Sequence, residues 1–393
     1  MKIIQNNTEI DLTNHIKTAE KTLQTNNVYV VNTADYIEHI AAYIAWTKVG
    51  GNIFVKSTLL PEHQSKILDE KIKDYPYQNT ICFHTSGTTG VPKLVVHSVE
   101  QMNQFAIMST NNMGWDSETK FLNYIPAATS GFWHIVLPPA LTHNATIVLG
   151  ARDNLIENFN EDVNLVILVP ALLDMIRINN INLDFSKFKR ICCGASQVLK
   201  RHAETAFNLG AKEFNHMYGA TEIGSPILHR ATTHVDEYVE YLEMEDTVAT
   251  QFKIVDDELY VKGQSLCVNY KEFSHEDEWF KTNDLWEQQG NLIKFAGRSN
   301  DIVKINGYQC SLLLIESLIE DKTNLGEALA IPRNSMGSDY IELVYTNKDS
   351  KIDKKELATM LEVYLPNRNI PRKYTHVESL PKTSLGKKIR NVL

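Results

Sequence analysis

The sequence lacks three features that would take the protein out of the ordinary globular class. No apolar run in its 393 residues approaches the length of a membrane span, and the polar N-terminus MKIIQNNTEIDLTN has no apolar core of signal-peptide length. Basic residues are not in excess, since 39 Lys and Arg stand against 48 Asp and Glu, a formal net charge of −9. These absences predict a cytoplasmic protein without a membrane span. They also argue against nucleic acid as the main partner, because binding a phosphate backbone needs a basic surface.

Patterns for metal binding and for disulfide bonds are missing too. The 13 histidines show no metal-ligand spacing, and the five cysteines form no CxxC pair. Three of the cysteines lie in apolar, strand-like contexts, which favours buried and reduced thiols. The adjacent Cys192 and Cys193 fit either a redox pair or ordinary core packing, and we expect core packing.

The sequence does contain a regular alternation of strand-like and helix-like segments between residues 27 and 217. The runs NVYVVN, NIFVK, ATIVLG, LVILVP and RICCGA are short, apolar and bounded by turn residues. Residues 34–49 and the segments PALLDMIRIN and LKRHAETAFNLG have helical character. This alternation predicts βα units and a mostly parallel sheet that is buried on both faces. Ligands of such sheets bind beyond the carboxyl ends of the strands.

The pattern changes after about residue 245. Two segments predict hairpins, which turn at Asp256-Asp257 and at Gln289-Gly290 and form a small antiparallel β section. The last part of the chain reads as helix, strand, strand, helix and strand, a compact α+β unit. We therefore predict a large α/β N-terminal domain over residues 1–298 and a small α+β C-terminal domain over residues 299–393.

The stretch FHTSGTTGVPKLVVH is the first candidate functional segment. Apolar strand-like residues flank a loop of small and hydroxyl residues that ends near Lys93. Such a loop exposes backbone N–H groups, and hydroxyls and a lysine add donors and positive charge, so it can bind phosphate. A plain Gly/Thr hairpin turn fits this stretch alone equally well. The kinase-type P-loop is excluded, because Val91 and Pro92 separate Gly90 from Lys93.

Five further stretches in the chain decide between these two interpretations. They are RICCGAS, HMYGATEIG, KTNDLW, GRSNDIVKINGY and PKTSLGKKIR. With TSGTTGVPK, and in this order, they resemble the signature motifs of the adenylate-forming superfamily. That group holds acyl-CoA synthetases, adenylation domains of peptide synthetases, and luciferases. The resemblance runs from about residue 27 to the C-terminus.

The resemblance implies a reaction in two halves. A carboxylate attacks the α-phosphate of ATP to give acyl-AMP and pyrophosphate, and a thiol then attacks acyl-AMP to give a thioester and AMP. The implied cofactors are ATP, Mg²⁺ and coenzyme A, or the phosphopantetheine of a carrier protein. The family rotates its small C-terminal domain between the two halves, so the resemblance implies that residues 299–393 are mobile, with a hinge at Asn300.

The resemblance also implies roles for individual residues. Thr221 would contact the α-phosphate, Glu222 would hold Mg²⁺ through oxygen, and Lys387 would bridge the attacking carboxylate and the α-phosphate. Lys304 and Gly307 would serve the second half-reaction. The remaining ATP-binding residues are Thr85, Ser86, Gly87, Thr88, Thr89, Gly90 and Lys93 at the β- and γ-phosphates, Gly194, Ala195, Ser196, Tyr218 and Gly219 around adenine, and Asp284 and Arg298 at the ribose.

The sequence departs from the family pattern at several places. Asn300 stands where Asp or Lys is usual, and Asn283 stands where glycine is usual in the ribose motif. In YIPAATSGFW, Ala128 and Thr129 replace an aromatic-histidine pair. The phosphate loop comes early in the chain, which predicts a shortened N-terminal subdomain. Within the superfamily, LVVHS, LVPALLDMI and FKIVDDELYVKG are similar to o-succinylbenzoate-CoA ligases.

The acid and its acceptor are less well defined by the sequence. No acidic residue occurs in PAATSGFWH, where amino-acid-activating members usually place an aspartate, so we expect an aryl or medium acyl acid without an α-amine. We expect coenzyme A as acceptor. A carrier protein is the alternative, and a degenerate nucleotide-binding or regulatory protein is an alternative of another class. The oligomeric state stays open. Residues expected in the acid pocket are Ala128, Thr129, Phe132, Trp133 and Ile223.

Overall fold

The computed structural model describes most of the chain. It divides into two compact units: unit 1 comprises residues 1–253, 260–282 and 288–294, and unit 2 comprises residues 254–259, 283–287 and 295–393. The domain boundary at residue 298 stays a prediction. The structure describes residues 1–85, 92–150, 154–247, 250–272, 278–299, 302–305, 308–323, 325–335, 338–346, 353–362, 365, 367–382 and 388–390.

Most of unit 1 is an alternation of strands and helices, as the sequence predicts. Its first part contains β1 Lys2–Gln5, β2 Thr8–Glu9, α1 Thr13–Thr25, β3 Tyr29–Val31, α2 Tyr36–Val49, β4 Ile53–Val55, α3 Glu62–Lys71, β5 Thr80–Thr85, β6 Lys93–Ser98 and α4 Val99–Met113. Its second part contains β7 Lys120–Asn123, a π-helical turn Phe132–Val136, α5 Leu137–Thr142, β8 Thr146–Leu149, α6 Leu155–Asn160, β9 Leu165–Leu168, α7 Pro170–Ile178, β10 Arg190–Cys193, α8 Lys200–Asn208, β11 Phe214–Ala220, β12 Gly224–Thr232 and β13 Tyr241–Glu243.

Nine of the strands named above lie in one larger sheet, in the order β13-β12-β11-β10-β9-β7-β8-β1-β2. The strands from β11 to β1 in this order pair in parallel, and β12, β13 and β2 pair antiparallel to their neighbours. Apolar strands such as β9, LVIL, are buried along their whole length, as a sheet covered on both faces requires. The predicted mostly parallel sheet is confirmed. β1 was missed, because its segment reads as polar.

A second sheet in unit 1 has the order β3-β4-β5-β6. β3, β4 and β5 are parallel, whereas β5 and β6 are antiparallel, with Thr85 opposite Lys93. The prediction of strand, loop and strand for the candidate phosphate segment is confirmed for the two strands. The antiparallel pairing brings both ends of the loop to the same end of this sheet.

Two hairpins follow β13. Their strands are β14 Thr250–Val255, β15 Glu258–Gly263, β16 Phe280–Gln289 and β17 Leu292–Arg298. The first hairpin turns at Asp256 and Asp257, as predicted, with φ angles of +50° and +63°, the two left-handed residues of a type I′ turn. The second turn begins at Gly290, whose φ is +65°, one residue later than the predicted turn because Gln289 still belongs to β16.

The C-terminal part of unit 2 has its own core, which includes Ile315, Leu343 and Leu361. β20 and β21 pair antiparallel, and β21 and β22 pair in parallel, so the predicted order of helices and strands is confirmed. The hairpin β18-β19 was not predicted, because the sequence GRSNDIVKINGY was interpreted as a family motif and not as two strands. The elements are β18 Ile302–Ile305, β19 Tyr308–Ser311, α9 Leu312–Lys322, β20 Ala328–Ser335, β21 Ser338–Tyr345, α10 Lys354–Glu362 and β22 Lys373–His376.

All five cysteines are buried and free, so the expectation of reduced core thiols is confirmed. Burial raises the pKa of Cys82 and of Cys192 to about 12 each. It also raises the pKa of Cys193 well above its ordinary value and that of Cys310 to about 11.

Across the described ranges of the chain, no helix has the length and apolar character needed to cross a membrane.

Gly194, which follows β10, is fixed by close packing. A Cβ atom at this position would lie 2.5 Å from the carbonyl oxygen of Met217 in the neighbouring strand β11. We expect Gly194→Ala to lower the free energy of unfolding by about 2 kcal/mol, because a backbone oxygen inside a sheet cannot move aside. Urea denaturation measures this change.

The matched control is Gly131→Ala, where the nearest atom to a new Cβ would be 3.4 Å away, at ordinary van der Waals distance. Equal losses of stability for the two variants would contradict the packing argument for Gly194.

Candidate functional site

The ends of the candidate phosphate loop lie side by side. Thr85 ends β5, Lys93 begins β6, and the two residues are partners in the antiparallel register. Both side chains are half-buried. Ser86, Gly87, Thr88, Thr89 and Gly90 lie outside the described residues.

The carboxyl ends of β10 and β11 place two of the other motifs next to each other. These strands are parallel, with Cys193 opposite His216. Gly194 therefore follows one strand while Tyr218 and Gly219 lie at the end of the other. Ala195 has a φ of +73°, an uncommon left-handed backbone, and both Ala195 and Ser196 are exposed at this edge. This is the edge at which ligands of parallel sheets bind.

The turn after β11 carries Thr221 and Glu222 and connects β11 to the antiparallel β12. The backbone N–H of Ile223 donates to the carbonyl of Ala220 at 3.2 Å, which closes the turn. Gly224 then has a φ of +74°, and a Cβ atom there would lie 2.0 Å from the ring of Phe105. The turn therefore has little freedom to change its length or its path.

Three separate segments hold this turn. The Nε2 atom of His97, in β6, donates to the carbonyl oxygen of Thr221 at 2.8 Å. The hydroxyl groups of Ser130 and Thr221 are hydrogen-bonded at 2.8 Å. The backbone N–H of Cys267 donates to the carbonyl of Glu222 at 2.8 Å. The side chains of Thr221 and Glu222 are half-buried, and their backbone positions are set by these bonds.

Asn269 connects the segment that holds Glu222 to strand β6. Its side-chain amide donates to the carbonyl of Leu94 at 2.9 Å and accepts from the N–H of Val96 at 3.1 Å. The N–H of Val268 also donates to the carbonyl of Val96 at 2.8 Å. The strand that begins at Lys93 is thus hydrogen-bonded to the chain that anchors Glu222. Asn269 was not singled out from the sequence, because SLCVNYKE matches none of the family motifs.

The residues expected to line the acid pocket divide into two groups. Ala128 and Thr129 are half-buried, and the Thr129 hydroxyl donates to the carbonyl of Pro126 at 2.7 Å. Phe132, Trp133 and Ile223 are completely buried in the core of unit 1. Their place in the pocket stays a prediction.

Trp133 is held by specific contacts. Its indole N–H is shared between the carbonyl of Ala127 at 3.0 Å and Nδ1 of His39 at 3.2 Å, and its ring lies edge-on to Tyr43 and Phe83. Trp133 can therefore fix the path of the segment that carries Thr129 and Ser130. Ser130 itself was not singled out from the sequence, although it lies between two residues of the motif.

His97 and His134 lie together beneath the turn, with ring centroids 4.7 Å apart. The aromatic rings of Phe83 and Phe105 lie 4.9 and 4.4 Å from His134. Burial lowers the pKa of His97 to about 4 and holds the pKa of His134 well below its ordinary value, so both rings are neutral at neutral pH. Because His97 faces a carbonyl through Nε2, its proton is on that nitrogen.

Within unit 2, Asp284 and Arg298 form an ion pair. The Nε atom of Arg298, at the end of β17, lies 2.8 Å from Oδ1 of Asp284 in β16. The Asp284 side chain is 2% exposed and that of Arg298 is 44% exposed. The two residues expected at the ribose are thus brought together by the hairpin of β16 and β17.

Asn283 occupies the position where the family usually has glycine, and its backbone explains the family pattern. Its φ is +60°, in the left-handed region that glycine adopts freely and that asparagine tolerates better than other residues. The hydroxyl of Ser299 donates to its carbonyl at 3.3 Å. The departure from glycine therefore keeps the same chain path before Asp284.

The remaining predicted residues are described only in part or not at all. Lys304 lies in β18, and its side chain is not described. Asn300, Gly307 and Lys387 lie outside the described residues. Lys388, directly after Lys387, is half-buried. Glu316 and Glu320 of α9 lie close to its Nζ atom, which donates to the carbonyl of Ala328 at 2.7 Å.

The sequence profile of the family described as "AMP-binding enzyme" matches residues 16–268. Bacitracin synthase 1 of Bacillus licheniformis is 26% identical over 350 residues, which cover 79% of this chain but 6% of that protein. The 2-succinylbenzoate–CoA ligase of Listeria monocytogenes serotype 4b is 26% identical over 337 residues, 79% of this chain and 68% of that enzyme. The chain thus spans a small fraction of the synthase and about two thirds of the ligase.

A solved structure has the same fold. The o-succinylbenzoate coenzyme A synthetase of Bacillus subtilis, in complex with ATP and magnesium ion, superposes with a TM-score of 0.82 at 18% identity, over 100% of this chain and 96% of that one. The predicted fold class is confirmed by this structure. The match of the family profile to residues 16–268 confirms the resemblance found in the motifs.

We expect replacements of Asn283 to follow backbone strain. Asn283→Ala should lower the free energy of unfolding by about 1 kcal/mol, because alanine pays for the left-handed conformation without the local hydrogen bonding of asparagine. Asn283→Gly should leave it unchanged or raise it slightly. Chemical denaturation of the three proteins measures the order, and a loss for glycine as large as that for alanine would contradict this account.

The buried histidines predict a stability that falls with acid. The pKa of His97 is about 4 and that of His216 about 3 in the folded protein, both lowered by burial, against about 6.5 in an unfolded chain. Below pH 6.5 the unfolded chain takes up protons that the folded state cannot. The free energy of unfolding should therefore fall by about 1.4 kcal/mol per pH unit for each such histidine until its folded pKa is reached.

Urea denaturation at pH 7, 6 and 5 measures this slope. His97→Phe should make the slope shallower, whereas replacement of the exposed His63 by glutamine should not. An unchanged slope in His97→Phe would contradict a neutral, buried His97.

Proposed function

Because the chain belongs to the AMP-binding enzyme family, we propose that it is an AMP-forming acid–thiol ligase that joins a carboxylic acid to coenzyme A. The observation that carries this proposal is the anchored turn of Thr221 and Glu222, which lies beside the carboxyl ends of parallel strands and is bonded through Asn269 to the strand of Lys93. The occurrence of the other motifs in family order supports it.

The reaction has two balanced steps. In the first, a carboxylate oxygen forms a bond to the α-phosphorus of ATP, and the bond from that phosphorus to the bridging oxygen breaks, so that pyrophosphate leaves. In the second, the thiol sulfur of coenzyme A forms a bond to the acyl carbon as it loses its proton, and AMP leaves with the oxygen. Attack by an anion on a polyanion requires oriented donors and positive charge at the phosphates.

The residues of unit 1 supply such donors. Thr221 donates its hydroxyl to the α-phosphate, and Lys93 and Thr85 act at the β- and γ-phosphates with Ser86, Gly87, Thr88, Thr89 and Gly90. Tyr218 packs against adenine, near the strand ends that carry Gly194, Ala195, Ser196 and Gly219.

The residues of unit 2 bind the sugar and act in both half-reactions. Asp284, which pairs with Arg298, accepts hydrogen bonds from the ribose hydroxyls. Lys387 bridges the carboxylate and the α-phosphate in the first half-reaction. Lys304 and Gly307 act in the second, after residues 299–393 rotate about Asn300 relative to residues 1–298.

Glu222 fits a magnesium ion. Its carboxylate is half-buried on an anchored turn, and Mg²⁺ typically takes one or two carboxylates together with phosphate oxygens and water. Among the described residues, no group of three or more His, Cys, Asp or Glu side chains forms a metal cluster, and a site of this kind does not need one. The ion, when bound, neutralises charge on the phosphates.

The acid is an aryl or medium acyl acid without an α-amine. The half-buried Ala128 and Thr129 carry no charge that could pair with an ammonium group. The 2-succinylbenzoate–CoA ligases among the relatives make 2-succinylbenzoate the first acid to test.

A carrier protein is the second candidate acceptor, because the motifs also resemble those of the adenylation domains of peptide synthetases. We place the activity in the cytoplasm, in keeping with the reduced thiols.

Release of pyrophosphate from ATP and Mg²⁺ tests this function. The assay compares 2-succinylbenzoate, substituted benzoates, fatty acids of increasing length and amino acids, with and without coenzyme A. We expect release with one aryl or medium acyl acid, faster release with coenzyme A, and formation of the acyl-CoA. Lys387→Ala should lower the rate by at least about a hundredfold, because it removes the charge at the reacting phosphate.

The control is Lys388→Met. We expect it to reduce stability but to leave far more activity than Lys387→Ala, since Lys388 is engaged with α9. Acyl-AMP formation that does not respond to coenzyme A would favour a carrier protein. Tight binding of ATP without release for any acid would instead favour a degenerate nucleotide-binding protein.

A further inference from the structure

Thr221 makes two hydrogen bonds that have no part in the roles proposed above for the motif residues. Ser130 meets its hydroxyl at 2.8 Å, and His97 donates to its carbonyl at 2.8 Å. Ser130 follows the pocket residues Ala128 and Thr129 in the chain, and His97 lies in the strand that begins at Lys93. The segment that carries the pocket residues and strand β6 therefore both form hydrogen bonds to Thr221.

The direction of the Ser130–Thr221 hydrogen bond is set by what Thr221 has to do. A hydroxyl has one proton and two lone pairs, so a threonine that donates to an anionic phosphate oxygen can only accept from a second hydroxyl. Ser130 must then be the donor. Its proton keeps the lone pair of Thr221 occupied and directs the Thr221 proton away from Ser130.

His97 fixes the other end of Thr221. Its side chain is completely buried among Phe83, Phe105 and His134, so the ring cannot leave without opening the core. Because the neutral ring carries its proton on Nε2, it holds the carbonyl of Thr221 and thereby the backbone from which the hydroxyl projects.

We propose that Ser130 and His97 are positioning residues that fix the hydroxyl and the backbone of Thr221 for transfer of the adenylyl group. Neither residue touches the reacting atoms, and both act through Thr221. The proposal rests on the proposed function for its catalytic part and on the unliganded protein for its structural part.

The first test uses the protein without ligands. Hydrogen exchange is followed by mass spectrometry in a peptide that covers residues 214–224. His97→Phe keeps an aromatic ring but cannot donate, and His97→Gln can still donate from its amide. We expect faster exchange around the turn in His97→Phe, with partial protection regained in His97→Gln. Equal exchange in the wild type and in His97→Phe would overturn the anchoring by His97.

The second test is a double-mutant cycle on pyrophosphate release. Ser130→Ala should lower kcat about tenfold, the effect of one lost hydrogen bond, with the KM for ATP within about twofold. In a Thr221→Ala background, Ser130→Ala should have no further effect, because its partner is already gone. Ser130→Thr, which keeps a hydroxyl at this position, should retain most of the wild-type rate.

If Ser130 had only a structural role, Ser130→Ala would slow pyrophosphate release by the same factor in the wild type and in Thr221→Ala. That result would overturn the role of Ser130. If the wild type released no pyrophosphate with any acid, the proposed function would fail. The exchange experiment would still decide whether His97 holds the turn, and Ser130→Ala in the same experiment would decide whether Ser130 does. If His97→Phe did not fold, the Ser130 variants would carry the test alone.

Discussion

The hydrogen bond from His97 to the carbonyl of Thr221 is the interaction on which the rest of the candidate site depends. The turn that it holds is already restricted at its end, where Gly224 lies against the ring of Phe105. A charged His97 would bury a cation among aromatic rings, so the bond is made by the neutral ring. The strength of this anchor comes from its surroundings, which leave the ring no alternative position.

Backbone hydrogen bonds extend this anchor to the rest of unit 1. Asn269 clamps β6, and the residues just before it hold Glu222 and Val96 through their N–H groups. The distance between the strand of Lys93 and the turn of Glu222 is thus set by main-chain contacts together with the side-chain amide of Asn269.

Much of this arrangement could be predicted from the sequence, because apolar periodicity defines strands and helices and the motifs fall at strand ends. The sequence could not reveal that Ser130 and His97 meet at the turn of Thr221, or that Asn269 clamps strand β6. Their partners lie 91, 124 and about 175 residues away, and several of the bonds use the main chain, which leaves no mark on residue type. Asn283 shows the converse case. The departure from glycine is visible in the sequence, but only the φ of +60° shows why asparagine suits this position.

The burial of the cysteines has a consequence for the proposed reaction. An acyl-adenylate is an electrophile that any thiolate nearby would attack, including one from the protein itself. With pKa values of about 12, the thiols of Cys82 and Cys192 are ionised to only about one part in 10⁵ at neutral pH, and their burial keeps the electrophile away. In the proposed reaction, burial of these two thiols leaves an external thiol as the competing nucleophile.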